Sequence, residues 1–305
     1  MGNNEVIGKG INMNSYMDTE VIWDLLDANA IVYLAATIVI FYIGKKVYDL
    51  IVPYDMNKEL VGTDNKAVAV SLSGYLIGLG IILWGVLGDN PEKIILNQKD
   101  LQQDLLSLLI WSVVGIVLLQ IARVINDLFV LHKFNNIKEI VVDRNVGTGA
   151  VQFGAFIASA LMIRASLIGE GEDFFSSVIS LLVFFVIGQL GLILYSKFYQ
   201  IVTKYDVHAE IEKDNIAAGV AFGLSLIAEG VLLSGYMEKH DSLLGLICWF
   251  FIGTIALFIA RVLVDKFILP GSQLDTEIQR DHNWGAAIIE GSTAIIFAFI
   301  LNAAF

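Results

Sequence analysis

The sequence predicts an all-α integral membrane protein whose eight transmembrane helices form four helical hairpins in parallel repeat. Three observations lead there. First, 56% of the 305 residues are apolar with glycine uncounted, only 16% are charged, and mean hydropathy is +0.71; a soluble domain carries roughly a quarter charged residues. Second, the apolar residues fall into eight runs, each close to the ~20 residues that cross a ~30 Å hydrocarbon core. Third, the segments between the runs repeat the same punctuation, the signature of a repeated unit.

The runs are 28–44, 67–87, 105–122, 146–168, 174–195, 216–236, 243–260 and 284–305. They are continuously apolar rather than alternating, which selects helices over a β-barrel. The surface of a soluble domain could not hide so much hydrocarbon. The single cysteine, Cys248, excludes a disulfide framework and a cysteine metal cluster. A net charge of −12 argues against a nucleic-acid partner. Residues 1–27 are polar and acidic with one Lys9, unlike a signal peptide; they read as an extracytoplasmic tail, with Trp23 leading into an interfacial anchor. The membrane part is expected to divide near Glu170 into halves 28–170 and 171–305, and the segment 88–104 to hold a short surface helix.

Orientation follows from the basic residues. Fourteen of the nineteen lysines and arginines lie in the segments joining odd to even spans. Those segments are therefore expected in the cytoplasm, with both termini outside, in a bacterial inner membrane. The acids are spread over both sides, so the outer face carries most of the negative charge.

The four odd-to-even turns share a pattern: Glu59-Leu60 before Asn65, Glu139-Ile140 before Asn145, Glu210-Ile211 before Asn215, and Glu277-Ile278 before Asn283. Small residues follow each Asn at two and four positions (Ala67/Ala69, Gly147/Gly149, Ala217/Gly219, Gly285/Ala287), then a glycine (Gly74, Gly154, Gly223, Gly291). Such spacing lets membrane helices approach closely. The Asn residues, together with Asp64, Asp143, Asp214 and Asp281, are expected as N-caps. Each odd span ends on a cation (Lys45, Arg123, Lys197, Arg261), and four residues later stands Asp49, Asp127 or Asp265, with Ile201 the exception in the third copy. That is helical ion-pair spacing, so each odd helix should continue about two turns past the membrane until Pro53 and Pro270 stop the first and fourth copies. Because each hairpin is an even number of spans, the copies should be related by an axis along the membrane normal.

These residues, and above all Asn65-Lys66-Ala67-Val68-Ala69 with Gly74-Tyr75-Leu76-Ile77-Gly78, resemble the bacterial inner-membrane family numbered 350 among the domains of unknown function, the YjfL-like proteins. The resemblance covers about residues 28–305. It implies an inner-membrane protein of the kind found beside phage-shock-type membrane-stress proteins and polyamine-synthase-like enzymes, and it assigns no catalytic residue.

Residues that break the repeat are candidates for function. Arg164, Glu229 and Glu290 are ionisable within even spans, where a charge costs at least ~2.5–3.5 kcal/mol. Counted from the repeat Asn at 1.5 Å per residue, Glu290 lies about 10 Å in, Glu229 about 21 Å and Arg164 about 28 Å. Glu229 replaces Leu79, Ser159 and Phe297 of the other copies; Glu290 replaces Leu72, Gln152 and Phe222. Two readings follow. Glu229 and Glu290, with Gln152, Gln189 and Arg164, line an ion or proton path; or the carboxyls lock helices together, with Gln152 a polar partner for Glu290 and Arg164 an outer anchor or a partner for Glu229. A second set faces a cytoplasmic partner: Glu59, Arg123, Asp127, Glu139, Glu210, Arg261, Asp265 and Glu277. His132, His208 and His282 lack metal-ligand spacing, and no cofactor motif is present. The leading expectation is a non-enzymatic scaffold or partner-binding module in envelope homeostasis, surrounded by lipid and open to homo-oligomerisation. The alternative is a cation or proton channel or transporter.

Overall fold

The computed structural model describes residues 28–88, 98–167 and 174–305. The tail 1–27 with Trp23, most of the segment 88–104 and the boundary near Glu170 lie outside the described residues. Among the described residues the regular structure is helical throughout, and eight helices are long and apolar enough to cross a membrane. They are α1 (Ala28–Ile51), α2 (Lys66–Gly88), α3 (Gln98–Ile125), α4 (Val146–Leu167), α5 (Phe174–Val202), α6 (Ile216–Met237), α7 (Leu243–Leu263) and α8 (Trp284–Ala304).

The odd helices overrun their apolar stretches. Lys45 pairs with Asp49 at 2.5 Å and Arg123 with Asp127 at 3.8 Å, one helical turn on. Both α3 and α7 run into a π-helical turn, Asn126–Val130 and Val264–Ile268. The fourth copy departs from the expected Arg261–Asp265 pair. There Asp265 accepts from the backbone N of Leu274 at 2.7 Å, at the start of the short helix Leu274–Gln279, and Arg261 is left to turn inward.

The even helices stand in a row, α2 beside α4, α4 beside α6, α6 beside α8, each packed along its length on the next. Odd helices sit against the row: α3 touches α2 and α4, α5 touches α4 and α6, and α7 touches α6 and α8, while α1 has α2 as its even neighbour and α3 beside it. Burial follows position. The apolar windows of α4 and α6 are 78% and 83% buried, that of α1 only 11%. The outer faces carry exposed Leu34, Ile38 and Tyr42 on α1, Val186 and Leu190 on α5, and Ile252, Ile255 and Ile259 on α7. Apolar faces this broad suit lipid.

Glycine lets the row close. A Cβ at Gly154 would lie 2.0 Å from the Gly223 carbonyl oxygen, one at Gly74 2.4 Å from the Phe153 Cα, and one at Gly219 2.3 Å from Gly147. The contacts keep one register. Counting from the repeat Asn, the ninth residue of one helix meets the eighth of the next: Gly74 on Phe153, Gly154 on Gly223, Leu224 on Gly291. The second meets the fourth, Ala67 on Gly149 and Gly147 on Gly219; the thirteenth meets the fifteenth, Gly78 on Ala160 and Ala158 on Gly230. Contacts that rise in step mean that neighbouring even helices run in the same direction.

Candidate functional site: a buried polar layer at the turn face

The polar chemistry gathers where the four turns meet the even helices. Each repeat Asn caps its helix: the Oδ1 atoms of Asn65, Asn145, Asn215 and Asn283 accept from the backbone N of Val68, Thr148, Ala218 and Ala286 at 3.0–3.2 Å. The aspartates expected to share this role do not. Asp64 and Asp214 instead hold the left-handed backbone just before the Asn, with Arg144 and His282 in the other copies. Asp is among the few side chains that take this conformation readily.

The amide end of each Asn donates to the glutamate of its own turn: Asn65 to Glu59 at 3.0 Å, Asn145 to Glu139 at 2.9 Å, Asn215 to Glu210 at 3.3 Å and Asn283 to Glu277 at 2.9 Å. It also crosses to the next copy. Asn65 donates to the Ile140 carbonyl at 2.8 Å, Asn145 to that of Ile211 at 2.5 Å, and Asn215 to that of Ile278 at 2.8 Å. The turn glutamates are thus spent internally. Glu59, Glu139 and Glu210 are all less than a tenth exposed, so they present little to a partner; Glu277 is half-buried. Burial pushes the Glu139 carboxyl up, partly opposed by Asn145. Burial acts the same way on Glu210, but its bonds to Lys213 and Asn215 prevail and hold it below the usual range.

Two clusters lie one level deeper. In the first half, Arg123 sits 5.7 Å above the Tyr48 ring. Asp127 accepts from Asn136 at 3.1 Å and from Gln152 Nε2 at 3.2 Å, while Gln152 Oε1 accepts from Ser71 at 2.7 Å. In the second half, Arg261 donates to Glu290 in an ion pair and to Asp275 at 2.8 Å, and lies 5.5 Å above the Tyr199 ring. Tyr199 donates to Glu290 at 3.1 Å. Arg261 and Glu290 are 7% and 4% exposed, so Arg261, expected to face a partner, is enclosed by its own chain. Gln152 and Glu290 do not pair with each other, because α6 stands between α4 and α8. Tyr48, Tyr199 and Asp275 were not among the candidates, although a tyrosine two or three residues past Lys45 and Lys197 was a readable signal.

Glu229 is apart, fully enclosed on α6. Its Oε2 is 3.5 Å from Thr254 Oγ1, and its Oε1 has no partner. Gln189 donates to Ser159 at 3.1 Å. Arg164 does not reach Glu229; it pairs with Glu238 and stacks 4.0 Å over Trp84 at the end away from the turns, with Gly85 leaving room for its stem. Three cavities border these groups, lined by Arg123, Asn126 and Gln152, by Asn126, Ser159 and Gln189, and by Tyr199, Arg261 and Glu290. Each has room for about one water. Among the described residues no group of three or more His, Cys, Asp or Glu is placed to hold a metal. At the surface of the turn face, Lys133 pairs with Asp206 at 2.7 Å and Lys138 with Asp143 at 2.5 Å. The bond to Lys133 holds the Asp206 carboxyl low, and burial holds the neighbouring His208 below the usual imidazole range.

The sequence is similar to that of known membrane proteins. The family model described as Domain of Unknown Function (DUF350) matches twice, over residues 19–167 and 173–305. A UPF0719 transmembrane protein of Aquifex aeolicus is 25% identical over 251 residues, covering 80% of this chain and 88% of its own. The UPF0719 transmembrane protein YshE of Bacillus subtilis is 26% identical over 133 residues, only 43% of this chain but 98% of its own. No solved structure matches.

Proposed function

The chain belongs to the DUF350 family, and on that premise we propose that it is a non-enzymatic scaffold of the bacterial inner membrane, holding a cytoplasmic protein partner in envelope homeostasis. The observation that carries this reading is the backbone-to-backbone row of even helices, whose Gly154–Gly223 approach leaves no room even for a methyl group. A solid row suits a support. The partner's contacts come from side chains that the turns leave exposed: Lys133, Lys138, Lys213 and Arg280. They replace the enclosed Glu59, Glu139, Glu210 and Arg261 in that role, while Asp127 is taken up by Asn136 and Gln152 and Asp265 by the backbone N of Leu274. The basic excess of the odd-to-even segments supports a cytoplasmic setting for this face.

A proton or cation path is the second reading, and Glu229 favours it. An enclosed carboxyl with an unpartnered oxygen is a functional candidate in a membrane, and Thr254, Tyr195 and Tyr199 supply hydroxyls between it and Glu290. Flux in liposomes separates the two. The scaffold predicts that proton and potassium flux through vesicles carrying the protein matches that of empty vesicles, with Glu229→Gln indistinguishable. A flux that vanishes in Glu229→Gln replaces the scaffold with the path.

A further inference from the structure

The row of even helices has two ends, and they are the two unused halves of one interface. We propose that a second copy of this chain docks head to tail, its α2 against α8 of the first.

The register that joins α2 to α4, α4 to α6 and α6 to α8 assigns the missing partners. At the α8 end, the side chain of Asn283 caps its helix and bonds Glu277, yet it is exposed and crosses to no next copy. Asn65, Asn145 and Asn215, which do cross, are at most 1% exposed. The acceptor equivalent to the Ile140, Ile211 and Ile278 carbonyls in the first copy is that of Leu60. The second-to-fourth contact becomes Gly285 on Ala69. The ninth-to-eighth contact becomes Ser292 on Ser73, both exposed. The thirteenth-to-fifteenth contact becomes Ile296 on Gly80. Gly80 is exposed, and a Cβ there would meet nothing within 4 Å, whereas its equivalent Gly230 is pressed on Ala158. Ile296, 55% exposed, would fill that gap.

Two more observations select a second copy as the occupant. Helices α3, α5 and α7 each lie along two even helices, whereas α1 lies along α2 and reaches α4 through Tyr48 on Phe156; a docked α8 supplies a second even helix on the side away from α4. The YshE relative is almost wholly covered by less than half of this chain, so a relative can consist of about two hairpins, and the hairpin, rather than the set of four, is the repeating unit that a second copy would extend. A contact that joins unlike surfaces is heterologous, and repetition gives a ring or an open row.

Disulfide trapping tests it. In a Cys248→Ala background, which removes the exposed native thiol, chains with Ser73→Cys and chains with Ser292→Cys carry different tags, are co-expressed and are oxidised in native membranes. The expected result is a cross-linked pair bearing both tags, at least tenfold above either variant alone. No mixed pair overturns the proposal, as does equal linking by Ser73→Cys alone, the mark of a symmetric or random encounter. Native mass spectrometry of the unaltered chain in lipid nanodiscs is the second measurement: two or more copies are expected, and single chains alone overturn the proposal.

Discussion

Replacing Arg261 with Met is expected to destabilise the protein by about 3–5 kcal/mol, the range for removing one member of a buried ion pair. The guanidinium is 7% exposed and neutralises Glu290, 4% exposed, from the facing helix. It also holds Asp275 at 2.8 Å. Without it the Glu290 carboxylate keeps one bond, from Tyr199 at 3.1 Å. Its other oxygen already has no partner. The cost arises from the stranded charge rather than from the loss of attraction. Arg261→Met with Glu290→Met is therefore expected to recover most of the loss, since apolar replacement of a whole buried pair is often neutral or better. Unfolding in mixed micelles by SDS titration measures both. If the double variant is less stable than the single one, the pair is not the closed unit described above.

Gly154→Ala is expected to cost about 3 kcal/mol, the upper part of the range for overpacking. The added carbon would lie 2.0 Å from the Gly223 carbonyl oxygen and 2.7 Å from its Cα. Backbone cannot rotate away as a side chain can, so α4 and α6 must separate along their length, and the bond from Asn145 to the Ile211 carbonyl is lost with them. Gly62→Ala is the control. The nearest atom to its Cβ position is the flexible Lys58 Cγ at 3.7 Å, so its effect should stay within about 0.5 kcal/mol. Equal effects at Gly154 and Gly62, read in the same SDS titration, contradict the close-packed row.

The membrane class and the eight helices were legible because apolar runs of membrane length have few other homes. The overrun of α1 and α3 was legible in the spacing of Lys45 with Asp49 and Arg123 with Asp127. The Asn of each turn was readable as a cap, but its bond to the next copy was not, because a carbonyl acceptor such as that of Ile140 leaves no mark on the residue type. The inward turn of Glu59, Glu139 and Glu210 went against the default that a loop carboxylate faces solvent. The amide donor five or six residues on draws each of them in. Arg261 and Glu290 were both singled out, yet in separate roles, since pairing across 29 residues depends on how α7 lies against α8. Asp265 was expected to hold Arg261 by helical spacing; the backbone N of Leu274 claims it instead.

The solid row requires that no water path from either surface reaches Glu229. Thiol labelling measures this directly. With Cys248 replaced by Ala, Glu229→Cys in intact membranes is exposed to a charged, membrane-impermeant thiol reagent from either side, with Lys213→Cys as the reactive reference on the turn face. The account predicts full labelling at residue 213 and none at residue 229. Labelling at residue 229 from either side would mean that water reaches the middle of α6, and the solid support would give way to a path.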